Sequence, residues 1–187
     1  GWRGYGKESF PNGWVIEDDA LKVQGSGAGE AGGGGDIIYE EEFKDFELSL
    51  EWKLSEGGNS GIFYLSKEIE GEPIYTSAPE FQILDNERHP DARLGKNGNR
   101  QSASLYDLIP AEPQNAKPAG EWNKASIIVY RGTVVHSQNG ENVVEYHLWT
   151  DKWKEMVANS KFKDWENFLN AGGEDKKGYI GLQDHGD

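Results

Sequence analysis

A chain of 187 residues is most simply one domain, long enough to bury a sizeable hydrophobic core. Its formal net charge of −14 disfavours nucleic acid and anionic membrane surfaces as partners, because both attract clustered lysine and arginine. With no cysteine the chain has no disulfides and no thiol chemistry, and no apolar run is long enough to span a membrane as a helix.

The first third of the chain is predicted to form short strands. The 25 glycines, 7 tryptophans and 8 tyrosines favour strands and turns over a helical bundle. Residues 14–16 and 20–23 are predicted as strands joined by an acidic turn, and residues 36–39 as a further apolar strand. Residues 25–35 are glycine-rich and lack the Lys-Ser/Thr pair of a phosphate-binding loop, which predicts a surface loop.

Residues 46–54 alternate between apolar and polar side chains. Leu48, Leu50 and Trp52 share one face, so the segment is predicted as a half-buried antiparallel strand. A turn at 56–59 precedes a second apolar segment at 60–65. The two segments together predict a hairpin.

The stretch from Glu80 to Asp91 is the main candidate for a functional site. On a regular strand Glu80 and Gln82 point to one face and the apolar residues to the other. Strict alternation places Asp85 opposite Glu80, unless the strand bulges or ends first. A carboxylate and His89 within reach of one substrate can move protons. The same residues also fit a sheet edge followed by a solvated charged turn.

A long irregular stretch follows at 86–122, of a length that predicts either a functional loop or disorder. A meander is then predicted, with strands at 125–130, 133–138 and 142–148. Asn139-Gly140 is the strongest hairpin signal, because a type I′ turn needs positive φ at both central residues.

Residues 151–169 carry apolar side chains at roughly helical spacing and are predicted as the one helical region, ended by Gly172-Gly173. A last strand is predicted at 179–182. Many alternating strands with one helical insertion predict an all-β protein of two packed antiparallel sheets.

Six motifs occur in order along the chain: GGNSGIFY at 57–64, EFQILD at 80–85 with HPDA at 89–92, LYDLIP at 105–110, KPAGEWN at 117–123, SKF at 160–162 and GLQDHG at 181–186. Together they strongly resemble the 3-keto-disaccharide hydrolase family over nearly the whole chain. The resemblance implies a concanavalin A-like lectin/glucanase jelly-roll sandwich, a carbohydrate substrate, and a periplasmic or secreted bacterial protein.

The chain also departs from the family pattern. Family members normally have a strand before Gly1 and a final strand after Asp187, so residues 1–187 are expected to be a single domain lacking its first and last strands. Ser137 stands where a large apolar residue is expected, which puts the packing of the 139–140 hairpin in question.

The reaction that the resemblance implies begins at a ketone on C3 of a glucosyl unit, which acidifies the hydrogen on C2. A base removes this proton, the enolate expels the C1 oxygen substituent, and water adds back. This needs a base near C2, an acid near the leaving oxygen, and donors or a metal at the enolate. Ordinary glycosidases instead flank an oxocarbenium-like centre with two carboxylates.

The chain offers few proton carriers for this reaction. The candidate catalytic residues are Glu80, Asp85, His89 and His185. His136 and His147 lie within the meander and are expected to be structural. The candidate substrate-binding residues are Glu51, Asn59, Gln82, Tyr106, Trp122, Asn123, Gln183 and Asp184. A divalent metal held by Glu80, His89 and His185 is a further hypothesis, although their spacing is not diagnostic, and no organic cofactor is expected.

Two other functions fit the same pattern. One is a non-catalytic, lectin-like carbohydrate-binding module on the same jelly roll, which the fold alone does not separate from an enzyme. The other is a conventional β-glucanase, because Glu80 and Asp85 follow one another along an acidic strand. Gln82 stands where such an enzyme would carry an additional acid.

Overall fold

The computed structural model describes residues 1–24 and 35–186 and contains two antiparallel sheets and a separate hairpin. The predicted glycine-rich loop at 25–35 lies outside the described residues, apart from Gly35. In chain order the strands are β1 (Trp2–Gly4), β2 (Trp14–Glu17), β3 (Ala20–Val23), β4 (Ile37–Phe43), β5 (Phe46–Trp52), β6 (Asn59–Ser66), β7 (Glu80–Leu84), β8 (Asn123–Tyr130), β9 (Thr133–Gln138), β10 (Glu141–His147) and β11 (Gly178–Leu182).

The five-stranded sheet has the order β1-β4-β11-β6-β7, and the four-stranded sheet the order β10-β9-β8-β5. Strands β2 and β3, predicted as two short strands joined by an acidic turn, pair with each other in a two-stranded sheet. The predicted meander is present as β8-β9-β10, with positive φ at both Asn139 (50°) and Gly140 (86°). The all-β, two-sheet antiparallel sandwich is therefore confirmed.

The predicted hairpin between residues 46–54 and 60–65 is wrong. β5 pairs with β8 in the four-stranded sheet, whereas β6 lies between β11 and β7 in the other sheet. The burial of the two strands explains the difference. β5 alternates between exposed and partly buried residues along most of its length, but β6 is buried almost continuously because it is covered on both faces.

The predicted helix at 151–169 is interrupted. It consists of α1 (Asp151–Ala158), capped by the Thr150 hydroxyl at the Trp153 N–H, and of α2 (Glu166–Leu169). Between them, the Ser160 hydroxyl donates to the Val157 carbonyl and accepts from the Phe162 N–H. These local side-chain bonds replace helical backbone bonds, which is why the apolar spacing did not give one continuous helix.

Apolar side chains pack between the sheets, together with a buried polar network around His136. His136 donates from Nδ1 to the Ala103 carbonyl (2.8 Å) and accepts at Nε2 from the Tyr64 hydroxyl (2.8 Å), which accepts in turn from Tyr146 (2.6 Å). Burial lowers the pKa of His136 to about 4, so the ring is neutral at pH 7. This agrees with the structural role expected for His136.

The register of β6 and β7 decides which side chains point away from this core. Residues directly opposite one another on neighbouring strands share a face, and the opposed pairs are Gly61 with Gln82 and Phe63 with Glu80. Because Ile62 and Phe81 belong to the core between the sheets, Glu80 and Gln82 point to the outer face of the five-stranded sheet.

Candidate active site

A pocket of about 260 Å³ lies against this outer face. Its floor comes from neighbouring strands, with Asn59 from β6, Glu80 and Gln82 from β7, and Gln183 and His185 from the segment after β11. The volume is slightly below the range of about 300–1,000 Å³ for small-molecule sites. A pocket of this size fits a single sugar ring better than a long oligosaccharide.

Other lining residues of the pocket come from three segments that are distant in sequence. Tyr75 comes from a 3-10 helix at Ile74–Thr76, and Asp91 from a second 3-10 helix at Pro90–Arg93. Lys161 and Trp165 come from the stretch between α1 and α2. Aromatic rings next to polar floor groups are suited to a sugar, which has an apolar C–H face and hydroxyl edges.

Glu80 occupies a space that depends on the glycine beside it. The side chain is 8% exposed, and a Cβ built on Gly61 would lie 2.1 Å from its Oε1 atom. Any larger residue at position 61 would therefore collide with the carboxylate where it now lies. The backbone of Glu80 is held by the Tyr106 N–H, which donates to its carbonyl at 3.0 Å.

The two amides on the floor differ in what they offer a ligand. Gln82 is fixed by the backbone, because its Nε2 donates to the Arg100 carbonyl (3.2 Å) and its Oε1 accepts from the Ile83 N–H (3.1 Å). Asn59 is 6% exposed, and its Oδ1 has no hydrogen-bond partner in the described part of the chain. An acceptor left in this way is suited to a substrate hydroxyl.

A network of charges supports one wall of the pocket. Arg100 binds Asp91 (Nη1 to Oδ1, 2.8 Å) and Asp107 (Nε to Oδ1, 2.6 Å), and the Tyr106 hydroxyl donates to Asp91 Oδ2 at 3.0 Å. Burial, and then the charge of Asp91, raise the pKa of Tyr106 far above its ordinary value, so it stays protonated at neutral pH. Asp91 is therefore already compensated by its neighbours.

Lys161 is a pocket residue that sequence reasoning missed. Its Nζ lies 4.4 Å from the centroid of the Tyr106 ring and 5.3 Å from that of Phe162. Lys161 is an exposed residue, but partial desolvation lowers its pKa, as does the charge of Arg100, against the opposing charges of Asp107, Glu80 and Asp91. The motif at 160–162 contained the signal, but nothing in it linked this lysine to Glu80.

The two loop histidines lie near each other. His185 lines the pocket, and its ring centroid is 5.8 Å from that of His89, with the rings nearly perpendicular at 81°. His89 Nδ1 accepts from the Asp91 N–H at 3.1 Å, so its proton is on Nε2 in the neutral form. Of the four predicted catalytic residues, the pocket is thus lined by Glu80 and His185, with His89 adjacent to His185.

Asp85 does not line the pocket. It is buried and accepts from the backbone N–H groups of Gly57 (2.8 Å), Glu87 (3.1 Å) and Arg88 (3.3 Å). Burial alone would raise the pKa of Asp85, but these donors and the Arg88 charge outweigh it and hold the pKa below its ordinary value. Asp85, predicted as a second catalytic carboxylate, thus connects the loops at Gly57 and Glu87–Arg88 outside the pocket lining.

Four predicted substrate-binding residues lie away from the pocket. Glu51 is exposed on the four-stranded sheet, and Trp122 is 47% exposed beside Lys53. Asn123 is buried, where its Oδ1 accepts from the Lys117 N–H at 2.8 Å. Asp184 is buried and accepts from the Gly186 N–H at 3.0 Å. The side-chain oxygens of Asn123 and Asp184 thus accept hydrogen bonds from backbone N–H groups. The sequence around these two residues does not indicate such bonds.

The remaining predicted binding residues, Asn59, Gln82, Tyr106 and Gln183, all line the pocket. Within residues 1–24 and 35–186, no three His, Asp or Glu side chains are grouped so that they would hold a metal ion. The hypothetical set of Glu80, His89 and His185 does not form such a group. The described residues also contain no helix that is both long enough and apolar enough to cross a membrane.

Two comparisons with known proteins indicate the same family. A family model for a 3-keto-alpha-glucoside-1,2-lyase-like domain matches residues 1–187. A 3-keto-disaccharide hydrolase of Bacteroides thetaiotaomicron is 60% identical over 204 residues, covering 100% of this chain and 70% of the relative.

Solved structures agree on the fold. A crystal structure from Parabacteroides distasonis ATCC 8503 matches with a TM-score of 0.83 at 24% identity, over 100% of this chain and 83% of that one. The carbohydrate-binding module CBM66 of Bacillus subtilis matches with a TM-score of 0.56 at 12% identity, over 99% and 88% of the two chains. At these identities both similarities concern architecture alone.

Proposed function

The chain belongs to the 3-keto-alpha-glucoside-1,2-lyase-like family of enzymes, and from this premise we propose that it hydrolyses the glycosidic bond of 3-keto-glycosides. Cleavage proceeds by removal of the C2 proton, elimination of the C1 oxygen substituent and addition of water. The family description supports elimination across C1 and C2, and the name of the 60% identical relative supports net hydrolysis of a 3-keto-disaccharide.

The observation that carries the proposal is the carboxylate of Glu80, which lies over Gly61 in the same pocket as His185. Only the 3-keto sugar has a C2 hydrogen next to a carbonyl, and a carboxylate is a suitable base for such an acidified proton. We assign Glu80 as the base. His185, in its imidazolium form, then donates a proton to the leaving oxygen and becomes the neutral imidazole, a role for which histidine is suited.

The polar and aromatic residues supply the binding energy that orients the sugar. Asn59 Oδ1 accepts from a substrate hydroxyl, and the rings of Tyr75 and Trp165, whose centroids are 6.0 Å apart, contact a C–H face. Holding C2 near Glu80 lowers the barrier, because reactants that are already bound in the right geometry lose less translational and rotational entropy on reaching the transition state.

The test compares a 3-keto-glucoside with its unoxidised parent glycoside, each with and without a chelator. We expect cleavage of the 3-keto sugar alone, since only that substrate loses its C2 proton readily. Glu80→Gln and His185→Ala should each lower kcat by ~10²–10⁴-fold, the usual contribution of positioned acid–base catalysis. The chelator arms report whether a divalent ion takes part.

Matched controls separate chemistry from folding. Glu70→Gln and His147→Ala alter exposed side chains that do not line the pocket, so both should keep the wild-type rate. Equal cleavage of the parent glycoside would instead indicate ordinary glycosidase chemistry. Binding of both sugars without cleavage would indicate the lectin-like module.

A further inference from the structure

Removal of the C2 proton creates a charge that the pocket has to hold. The C–H electron pair becomes the C2=C3 double bond, and the carbonyl pair moves onto the C3 oxygen, which becomes negative. The proton passes to Glu80, whose carboxylate becomes neutral. Negative charge therefore moves from the protein to the sugar, and a cation positioned at its destination would lower the barrier.

Two basic side chains line the pocket in the described structure, Lys161 and His185. Arg100 lies behind the wall and is bound to Asp91 and Asp107. Lys161 differs from Arg100 because no carboxylate lies within ion-pairing distance of its ammonium among residues 1–24 and 35–186. Its Nζ instead rests on the face of the Tyr106 ring at 4.4 Å from the centroid.

This contact fixes the direction of the lysine. Tyr106 is held by its hydrogen bond to Asp91, and Asp91 is held by Arg100, so the ring under Lys161 is part of a rigid network. The same ammonium feels the charge of Glu80, which opposes the lowering of the lysine pKa by burial. Lys161 and Glu80 thus line the same small pocket.

We infer that Lys161 is the catalytic cation of this site, whose ammonium binds the C3 oxygen of the 3-keto sugar and stabilises the enolate formed there. The inference rests on the proposed function and deepens it. Before proton transfer Lys161 faces the Glu80 carboxylate, and afterwards it faces the enolate oxygen at unchanged net charge. In the next step the C3 carbonyl reforms, the C2=C3 electron pair becomes a C1=C2 double bond, and the C1–O bond breaks with its electron pair on the leaving oxygen, which takes a proton from His185.

The test replaces Lys161 by methionine, which keeps most of the side-chain length without the charge, and by arginine, which keeps the charge. Two readouts are followed on a 3-keto-glucoside: kcat for cleavage, and exchange of the C2 hydrogen in deuterated water. We expect Lys161→Met to lower both by ~10²–10³-fold, the effect of losing one oxyanion donor. Lys161→Arg should recover part of each rate.

Lys163→Met is the matched control, because Lys163, like Lys161, is exposed on this segment but does not line the pocket. It should keep both rates, and all variants should keep the wild-type Tm. Wild-type kcat and wild-type exchange in Lys161→Met would overturn the inference while leaving the proposed function standing. Cleavage that a chelator abolishes but that the Lys161 substitutions leave unchanged would have the same consequence. A wild-type protein that neither cleaves nor exchanges the 3-keto sugar would overturn the proposed function itself.

Discussion

Replacing Gly61 by alanine tests whether the Glu80 carboxylate must lie where the structure shows it. The new Cβ would be 2.1 Å from Oε1, 2.8 Å from Cδ and 2.9 Å from Cγ of Glu80, all below the 3.0 Å that real Cβ contacts respect. The carboxylate oxygen must therefore move by about 0.9 Å at least. A misplacement of ~1 Å in a catalytic group costs about 10²-fold in rate, which is the loss we expect in kcat.

Stability should respond differently from activity. Gly61 has no positive φ, so alanine fits its backbone, and the crowded atoms belong to a flexible side chain. Alanine also restricts the unfolded chain more than glycine does, which stabilises a strand by ~0.5–1 kcal/mol. Urea unfolding should thus show a free energy of unfolding within about 1 kcal/mol of wild type, while a 3-keto-glucoside assay shows the loss of kcat.

Two further variants isolate the cause. Gly4 lies in β1, at the opposite edge of the sheet, and Gly4→Ala places a Cβ 2.8 Å from Cδ of Lys7. This variant should keep full activity. In a Glu80→Ala background, Gly61→Ala should change the residual rate by less than about twofold, because its effect acts through the missing carboxylate. Wild-type kcat in the single Gly61→Ala variant would refute the reasoning.

Two other predictions concern the core and the aromatic wall. Because the pKa of His136 falls from 6.5 to about 4 on folding, the unfolded state binds more protons between these values. The free energy of unfolding should therefore drop as the pH falls, by about 1.5 kcal/mol between pH 6.5 and pH 5 from this residue. His136→Gln should lack that part of the slope in urea titrations, and an unchanged slope would contradict the assignment. Trp165→Ala should raise KM for a 3-keto-disaccharide by about two- to tenfold, as one aromatic contact predicts. Trp122→Ala should leave KM unchanged. A raised KM in Trp122→Ala with an unchanged KM in Trp165→Ala would indicate that the sugar binds at the other sheet.

Local pattern was sufficient for most strands and for the floor of the site. Strand β7 follows strict alternation, so Glu80 and Gln82 were placed on one face from sequence alone. The hairpin at 139–140 needed only its two turn residues. The pairing of β5 with β8 was not predictable in this way. The paired residues are about 80 positions apart in the chain, and no turn signal joins the two strands.

The position of Lys161 in the site was also not predictable from local sequence pattern. Lys161 reaches the pocket because α1 ends at Ala158, the Ser160 hydroxyl donates to the Val157 carbonyl, and the aromatic residues that follow pack against the core and line the pocket. None of this is encoded in the spacing between Lys161 and Glu80. The position of Asp85 outside the pocket was also not predictable, since the sequence of a polar loop does not show which backbone N–H groups donate to its carboxylate.

Two glycines point to a sequence signal for the site that depends on close approach. Gly61 in β6 and Gly181 in β11 lie in neighbouring strands, and each is crowded by a side chain from another element. A Cβ on Gly181 would lie 2.6 Å from Cδ1 of Ile74, in the 3-10 helix that carries Tyr75 to the pocket. One missing side chain thus makes room for the proposed base, and the other for the aromatic wall. Glycine inside a strand weakens it, so two of them on adjacent strands mark a face shaped to receive other groups.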